Sequence, residues 1–284
     1  MVADELFEFS FFSDYSKALR ELAALAIPES WRFLDPQYPV SNKETPILDR
    51  YLRGIYKHLA VCYNNTIKSV EKNQYIFVYG TIACFHTGLL STEFEEIFAL
   101  FEKSRRANRR CEWVFRGFYP RSAHNLKAIS ELPLKPQFRG GEMFHPNWEI
   151  RINFRHILQD KANLERLPEA VRSMNNLPLL LHAAVLYGQA LAHMDPSIVV
   201  HQVYNDQVQY LLPICLTDIR YCDMAMTLTA CDGYYIGLTC LSLEMAYHNA
   251  RLLGRPSVRW LEALVDQEKA DVGFEWETIY GMRV

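Results

Sequence analysis

Arginine and asparagine side chains at strand-like spacing are the clearest candidates for ligand chemistry in the sequence. Arg151 and Asn153 share one face of the segment WEIRINF, and Arg155 continues that face if the strand persists. A guanidinium offers a planar fork of donors that suits phosphate, and an asparagine amide can read a base edge or a ribose hydroxyl. The predicted ligand-binding residues are Arg116, Arg151, Asn153, Arg155 and Thr87, with the aromatic residues Phe115, Phe118 and Phe154 nearby.

Charge combined with aromatic stacking is the usual way in which proteins hold single-stranded nucleic acid. The prediction places Arg116 on a strand next to that of Arg151, so that the two form one basic floor. The structural alternative is that the aromatic rings belong to the core and that the arginines pair with Glu149 or Asp218. The residues alone leave both interpretations open.

Histidines supply the first candidates for acid–base chemistry. His86 and Cys84 lie on one face of a predicted strand, and a Cys-x-His pair can begin a metal site. No second pair stands at ligand spacing, so His145 or His156 would have to complete such a site, and we predict no metal. A hydrogen-bonded strand histidine is the structural alternative. We expect His86 and His156 at the rim of one concave surface.

Two aspartates supply the remaining candidates. Asp218 and Asp223 bracket the turn TDIRYCD, where they could hold a divalent cation for phosphoryl chemistry. Aspartates at such positions more often cap turns. The candidate catalytic residues are His86, His156, Asp218 and Asp223. The sequence contains no GxGxxG, Walker A, GxSxG or HExxH pattern, so it identifies neither a reaction nor a cofactor.

The distribution of charge supports a site for an anion. The chain has 30 Lys and Arg against 33 Asp and Glu, a formal net charge of −3. From Lys103 to Arg155 there are twelve basic and four acidic residues, a net of +8, which leaves −11 for the remainder. A basic middle in an acidic chain indicates a surface for phosphate or nucleic acid. The alternative is a group of solvated arginines around a loop.

The elements that must position these residues are clearest between Gln207 and Gly254. Alternating apolar residues predict strands over Gln207–Thr217 and Asp223–Ala230, and the short connection makes them antiparallel neighbours. A hairpin to YYIGLT follows. We predict the three-residue loop Cys231-Asp232-Gly233, which pairs Ala230 with Tyr234, over a two-residue loop, because it groups the larger apolar side chains. Gly233 should then have positive φ.

Periodicity also predicts the other elements. They are a helix from near Ser13, a long helix from Ile47 to Val70, a hairpin about Gly80, a short helix in TEFEEIFALFEKS, a buried helix LPLLLHAAVLYGQALAHM, and a helix after Ser242 that ends at Gly254. The segment from residue 120 to 147 reads as irregular, in the manner of a mobile flap over a site. No internal repeat is visible in the sequence.

Composition sets the class of protein. Half of the residues are hydrophobic and 22% are charged, as in soluble globular proteins. We expect no membrane span and no signal peptide. Seven scattered cysteines indicate reduced thiols in the cytoplasm. The predicted fold is one α+β domain, a mainly antiparallel sheet packed with helices: residues 1–46 an N-terminal helix and packed loop, 47–260 the core, and 261–284 an acidic C-terminal segment.

A series of segments gives the chain a resemblance to a known family. In order, ACFHTGLL, ALFEK, WVFRGF, EIRINFRHIL, LLPICLTD and LSLEMAYHNARLL resemble the bacterial domain of unknown function family 3825, over roughly residues 47 to 260. The resemblance implies asparagine where His86 stands. Members of that family often occur beside OST-HTH (LOTUS) and cold-shock RNA-binding domains, which implies work on RNA or nucleotides.

The leading expectation for function is binding, with processing as an extension, of RNA or a nucleotide on the basic central surface. The first alternative is a small-molecule enzyme with its pocket under the segment 120–147. The second is a protein-interaction module that uses the acidic ends of the chain. The ligand, the oligomeric state and catalysis itself are not fixed by these patterns.

Overall fold

The computed structural model of the protein describes residues 1–34, 44–66, 75–104, 111–138, 141–205, 207–262 and 264–265. The chain divides into two compact units, the first within Met1–Arg32 and Pro39–Gln137 and the second within Phe33–Tyr38 and Phe138–Val284. Both contain helices and a sheet, so the predicted α+β class is confirmed. Each of the two units has its own sheet, and the prediction of one domain stays a prediction.

In the residues that the structure describes, the first unit has three helices and five strands. In chain order they are α1 (Leu6–Phe9), β1 (Ser10–Phe11), α2 (Tyr15–Leu25), α3 (Pro46–Thr66), β2 (Ile76–Tyr79), β3 (Ile82–Leu90), β4 (Glu96–Lys103) and β5 (Trp113–Pro120), followed by the 3-10 turn His124–Leu126. The sheet order is β1-β5-β4-β3-β2. Strands β2 to β5 form an antiparallel meander, and β1 joins β5 in parallel.

The sheet of the first unit is covered on both faces. Helix α3 contributes buried Leu52, Ile55 and Tyr56 to one face, where the ring of Tyr56 lies 5.4 Å from that of Phe85. On the other face Cys84, Phe98 and Leu100 form a core with Leu126 and Ile129. The segment 120–147 is therefore anchored in its first half, because Leu126 and Ile129 are buried in that core.

Strand β4 corrects the predicted short helix in TEFEEIFALFEKS. All five residues from Ile97 to Phe101 are buried, because β4 lies between β3 and β5 and is covered on both sides. A short apolar run of this kind fits a buried strand and a helix equally well by periodicity. The predicted hairpin about Gly80 is confirmed, with φ of 59° at that glycine.

The second unit has six helices and five strands in its described residues. In chain order they are β6 (Glu149–Ile152), α4 (Phe154–Gln159), α5 (Lys161–Leu164), α6 (Glu169–Arg172), α7 (Leu177–Met194), β7 (Val200–Tyr204), β8 (Gln207–Ile214), β9 (Met224–Ala230), β10 (Tyr234–Ser242), α8 (Leu243–Arg251) and α9 (Arg259–Glu262). The sheet order is β6-β10-β9-β8-β7. Strands β7 to β10 form an antiparallel meander, and β6 joins β10 in parallel.

The β9–β10 hairpin has the predicted direction but a different register. Strands β8 and β9 are antiparallel neighbours, as predicted, and Gly233 has φ of 77°. Tyr235 pairs with Ala230 and Gly237 with Leu228, which is the register of the shorter loop. Gly237 explains the choice, since a Cβ there would stand 2.6 Å from the Met226 sulfur. A bulge after Gly237 then returns later apolar residues to the core.

Helix α7 is buried along one face only. Leu181 and Val185 lie in the core, whereas Leu179 and Leu186 are 70% and 55% exposed. Gly188 allows close packing on β8, because a Cβ there would meet the Pro213 carbonyl oxygen at 2.6 Å. By length and composition alone α7 is long and apolar enough to cross a membrane, as core helices of soluble proteins also are, and the expectation of no membrane span stays a prediction.

Several predictions fall on residues outside the described ranges. These are the basic residues of SRRANRR from 105 to 110, Arg139, the end of the long helix after residue 66, and most of the acidic segment 261–284. They stay predictions.

Candidate functional site

The two arginines expected on neighbouring strands lie in different sheets. Arg116 is on β5 of the first unit and Arg151 on β6 of the second. Each is exposed and each pairs with a carboxylate: Arg116 Nε lies 2.8 Å from Glu102 Oε2, and Arg151 Nε lies 2.8 Å from Glu149 Oε2. The predicted adjacency is wrong, whereas the alternative that Arg151 pairs with Glu149 is confirmed.

Asn153 and Arg155 do not continue the strand of Arg151. The strand ends at Ile152, and Asn153 caps α4 by accepting a hydrogen bond from the His156 N–H at 3.1 Å. Arg155 is therefore helical, and its Nε donates to Gln159 Oε1 at 3.3 Å. The strand is shorter than predicted because an asparagine that precedes a helix is a preferred N-cap residue.

His86 and Thr87 are fully buried in β3, with no exposed surface. The Gly88 N–H donates to His86 Nδ1 at 2.8 Å, so the neutral ring carries its proton on Nε2, which lies 3.5 Å from Glu96 Oε1. Burial lowers the pKa of His86, and Glu96 opposes that effect. The Thr87 hydroxyl donates to the Ile97 carbonyl oxygen at 2.8 Å. Both side chains thus hold neighbouring strands together.

Asp218 and Asp223 act as caps of the β8–β9 connection. Asp223 accepts hydrogen bonds from the N–H groups of Leu216 and Thr217 at 2.6 and 2.9 Å. Asp218 pairs with Arg220 at 2.6 Å, and these hydrogen bonds lower the pKa of its carboxyl to about 2. This geometry fits the turn-capping alternative. Among the described residues no group of three His, Cys, Asp or Glu side chains could hold a metal ion.

Most of the described basic side chains between Lys103 and Arg155 form ion pairs with glutamates. Lys103 pairs with Glu112 at 3.0 Å, and Arg121 pairs with Glu96. With the pairs of Arg116 and Arg151, four basic side chains of this stretch face acidic partners. Exposed arginines that pair with carboxylates are common on soluble proteins, and such pairs contribute little to stability. The described part of this stretch therefore offers less net charge to an anion than its sequence indicated.

A pocket of about 470 Å³, lined by both apolar and polar side chains, opens in the second unit, on the sheet face opposite α7. Strand residues and residues in or next to the helices line it. The strand residues are Gln202, Tyr204, Gln209, Thr227, Leu238, Thr239 and Leu241, and the others are His156, Asp160, Ala162, Asn163, Arg166, Met245 and Asn249. Of the predicted site residues only His156 lines it. No lining residue comes from the described residues of the segment 120–147, under which the first alternative placed a pocket.

One wall of the pocket is a ladder of amides that crosses three strands and reaches α8. Asn249 Nδ2 donates to Gln202 Oε1 at 2.9 Å, and Gln202 Nε2 donates to Gln209 Oε1 at 2.9 Å. Gln209 Nε2 then donates to the Thr229 hydroxyl at 3.1 Å. The pairing of Gln202 with Gln209 in the β7–β8 ladder places both on one face, where they are buried. These neutral side chains thus meet one another's hydrogen-bonding needs within the protein.

The other wall centres on Arg166, which is half-buried after α5. Its guanidinium donates to the Thr239 hydroxyl at 3.2 Å, and that hydroxyl donates to Asn163 Oδ1 at 3.1 Å. Asn163 Nδ2 donates in turn to the His156 carbonyl oxygen at 3.0 Å. Within the described parts of the chain, Arg166 has no carboxylate within 4 Å, unlike Arg116 and Arg151. A half-buried guanidinium without an acidic partner keeps hydrogen-bond donors for a ligand.

Sequence reasoning missed this pocket for a specific reason. Gln202, Gln209 and Thr227 come from separate strands, and only the register brings them onto one face. The signal that was available is Gln209, a polar residue on the second apolar face of the strand QVQYLLPI. Buried amides in such a strand indicate a hydrogen-bonded network. Arg166 lies outside every segment that the charge count singled out.

Comparison with known proteins gives one match. A family model with the description Domain of unknown function (DUF3825) matches residues 22–260, which include strands of both units and every residue that lines the pocket. No curated protein and no solved structure matches the chain. Since the model covers most of its length, the chain belongs to the family Domain of unknown function (DUF3825).

Proposed function

We propose that the protein binds RNA or nucleotides, and that the pocket of the second unit holds a single nucleotide. The observation that carries the proposal is Arg166, a half-buried guanidinium that lines the pocket and has a hydroxyl as its hydrogen-bond acceptor. Phosphate is the ligand that would complete its donor fork. A cytoplasmic location is part of the proposal, supported by seven cysteines of which none forms a disulfide among the described residues.

The other side chains that line the pocket suit the base of a nucleotide. A pocket of about 470 Å³ lies in the range that small ligands fill. The amides of Gln202, Gln209 and Asn249 offer donors and acceptors of the kind that pair with base edges. Tyr204, which is 57% exposed at the pocket, offers a ring on which a base can stack. Phosphate, base edge and base face thus each have a partner.

Calorimetric titration with AMP and with adenosine tests the role of Arg166. We expect the wild type to bind AMP more tightly than adenosine, because only AMP carries the phosphate. Arg166→Ala should weaken AMP binding about tenfold or more and leave adenosine nearly unchanged. The matched control is Arg155→Ala, since Arg155 is exposed, donates to Gln159 and does not line the pocket.

The outcomes separate the proposal from its alternatives. An Arg166→Ala variant that melts like the wild type but still prefers AMP would contradict the phosphate site. Equal binding of AMP and adenosine by the wild type would favour the small-molecule alternative, in which a neutral ligand fills the pocket. Binding of a short single-stranded RNA that competes with AMP would extend the site from free nucleotides to RNA.

A further inference from the structure

The amide ladder in the pocket has two equivalent hydrogen-bonding directions. An amide turned by half a rotation about its last bond exchanges oxygen and nitrogen without a change of shape, and a hydroxyl can donate as well as accept. In the direction described above, Asn249 donates and Thr229 accepts. In the reverse direction the Thr229 hydroxyl donates to Gln209, Gln209 donates to Gln202, and Gln202 donates to Asn249.

Neither end of the ladder fixes its direction. Within the ranges that the structure describes, Asn249 bonds only to Gln202, and the Thr229 hydroxyl bonds only to Gln209. The two middle amides, Gln202 and Gln209, are 1% and 7% exposed, so water has little access to them. A charged group at either end would fix the direction of the hydrogen bonds, but the ladder contains only neutral groups. The four side chains therefore reverse together or not at all.

Reversal changes what the pocket offers to a ligand. When Asn249 donates its N–H to Gln202, its oxygen is left to accept a hydrogen bond in the pocket. When Asn249 accepts from Gln202, its NH₂ group is left to donate. We infer that this ladder lets the pocket bind bases with either an amino or a keto group at the recognised edge, a specificity that rests on the proposed nucleotide function.

AMP and IMP are the probes, because their bases have one shape with donors and acceptors exchanged along the edge. We expect the wild type to bind the two with affinities within about threefold of each other. Gln209→Glu puts an acceptor-only group in the middle of the ladder. Gln202 must then donate to it, Asn249 must donate to Gln202, and the pocket is left with the Asn249 oxygen. IMP should lose about tenfold or more relative to AMP.

A second variant keeps the experiment decisive if Gln209→Glu fails to fold. Thr229→Asp places an acceptor-only group at the half-buried end of the ladder and imposes the same direction, so it should also favour AMP. Thr229→Ser retains a hydroxyl and should leave the ratio of AMP to IMP affinities unchanged. Using this ratio removes the effect of the added charge on the phosphate, since both ligands carry one.

Each result has a separate meaning. A wild type that prefers one nucleotide by more than about tenfold, or acidic variants whose AMP to IMP ratio equals that of the wild type, would overturn the ladder inference while the nucleotide function stands. A wild type that binds neither AMP nor IMP would overturn the proposed function and this inference with it. A ratio that rises in both acidic variants and not in Thr229→Ser supports both.

Discussion

At the scale of single residues, the function of an arginine in this protein depends on its partner. Arg151 was recognised as a candidate from the sequence, and its pair with Glu149, two residues away, was predictable as well. Arg116 meets Glu102 across two strands and a bulge, which no spacing along the chain reveals. Arg166 has no acidic partner within the described residues, and nothing in its sequence surroundings marks it. Whether an arginine has an acidic partner decides which ligand it can bind, and only the tertiary structure shows that partner.

His86 provides a prediction for stability as a function of pH. Burial lowers the pKa of His86 from the ordinary 6.5, so the unfolded chain takes up this proton more readily than the folded protein. The stability that results is present above the ordinary pKa and is lost as the pH falls below it. Thermal melts of the wild type should therefore move to lower temperature between about pH 7 and about pH 5.

His86→Asn should reduce that pH dependence, because asparagine does not titrate and can accept the Gly88 N–H in the same place. Asparagine is also the residue that the family resemblance implies at this position. Melting temperatures at the two pH values measure the effect, with His124→Asn, which stands in an exposed 3-10 turn, as the control. The same slope in wild type and His86→Asn would contradict the prediction.

At the scale of elements, sequence patterns predicted which strands are present better than they predicted the register in which the strands pair. The β9–β10 hairpin was expected and is present, but its register differs by one residue from the predicted one. The prediction maximised apolar grouping and could not include the close approach of Met226 to Gly237, which depends on packing. Strand β4 was taken for a helix for a related reason: burial on both faces removes the alternation that identifies a strand.

The hairpin turn permits a direct test of backbone strain. Gly233 and Gly254 both have open space where a Cβ would stand, but only Gly233 has positive φ, at 77°. Gly233→Ala should lower the free energy of unfolding by about 1 kcal/mol, because alanine is strained in that conformation. Gly254→Ala should be neutral or slightly stabilising. Urea denaturation compares the two, and equal effects would show that the turn rearranges around alanine.

At the scale of the whole molecule, net charge is a poor guide to the binding surface. The protein carries −3 overall, and the described basic residues of its middle are mostly paired with acids. If the pocket is the binding site, as we propose, its one guanidinium should dominate binding to a short single-stranded RNA. The salt dependence of RNA binding should then be small.

The salt dependence can be predicted in numbers. A plot of log affinity against log salt should have a slope of about −0.7, because one phosphate contact on a single strand contributes about that amount. Arg166→Ala should bring that slope close to zero. Fluorescence anisotropy over a salt series measures it. A slope several times steeper in the wild type would move the binding surface to a basic stretch such as residues 105–110.

The two sheets share one architecture. In both, a four-stranded meander closes in parallel against a short strand that precedes the long helix, and that helix packs on the second strand of the meander. On the opposite face, one copy carries the rung Phe77, Cys84 and Leu100, and the other carries Gln202, Gln209 and Thr229. The architecture is thus duplicated while the polarity of the corresponding face is reversed, so a search for repeats by residue similarity would pass over it. Along this rung the second sheet presents hydrogen-bonding side chains, whereas the first sheet presents apolar ones.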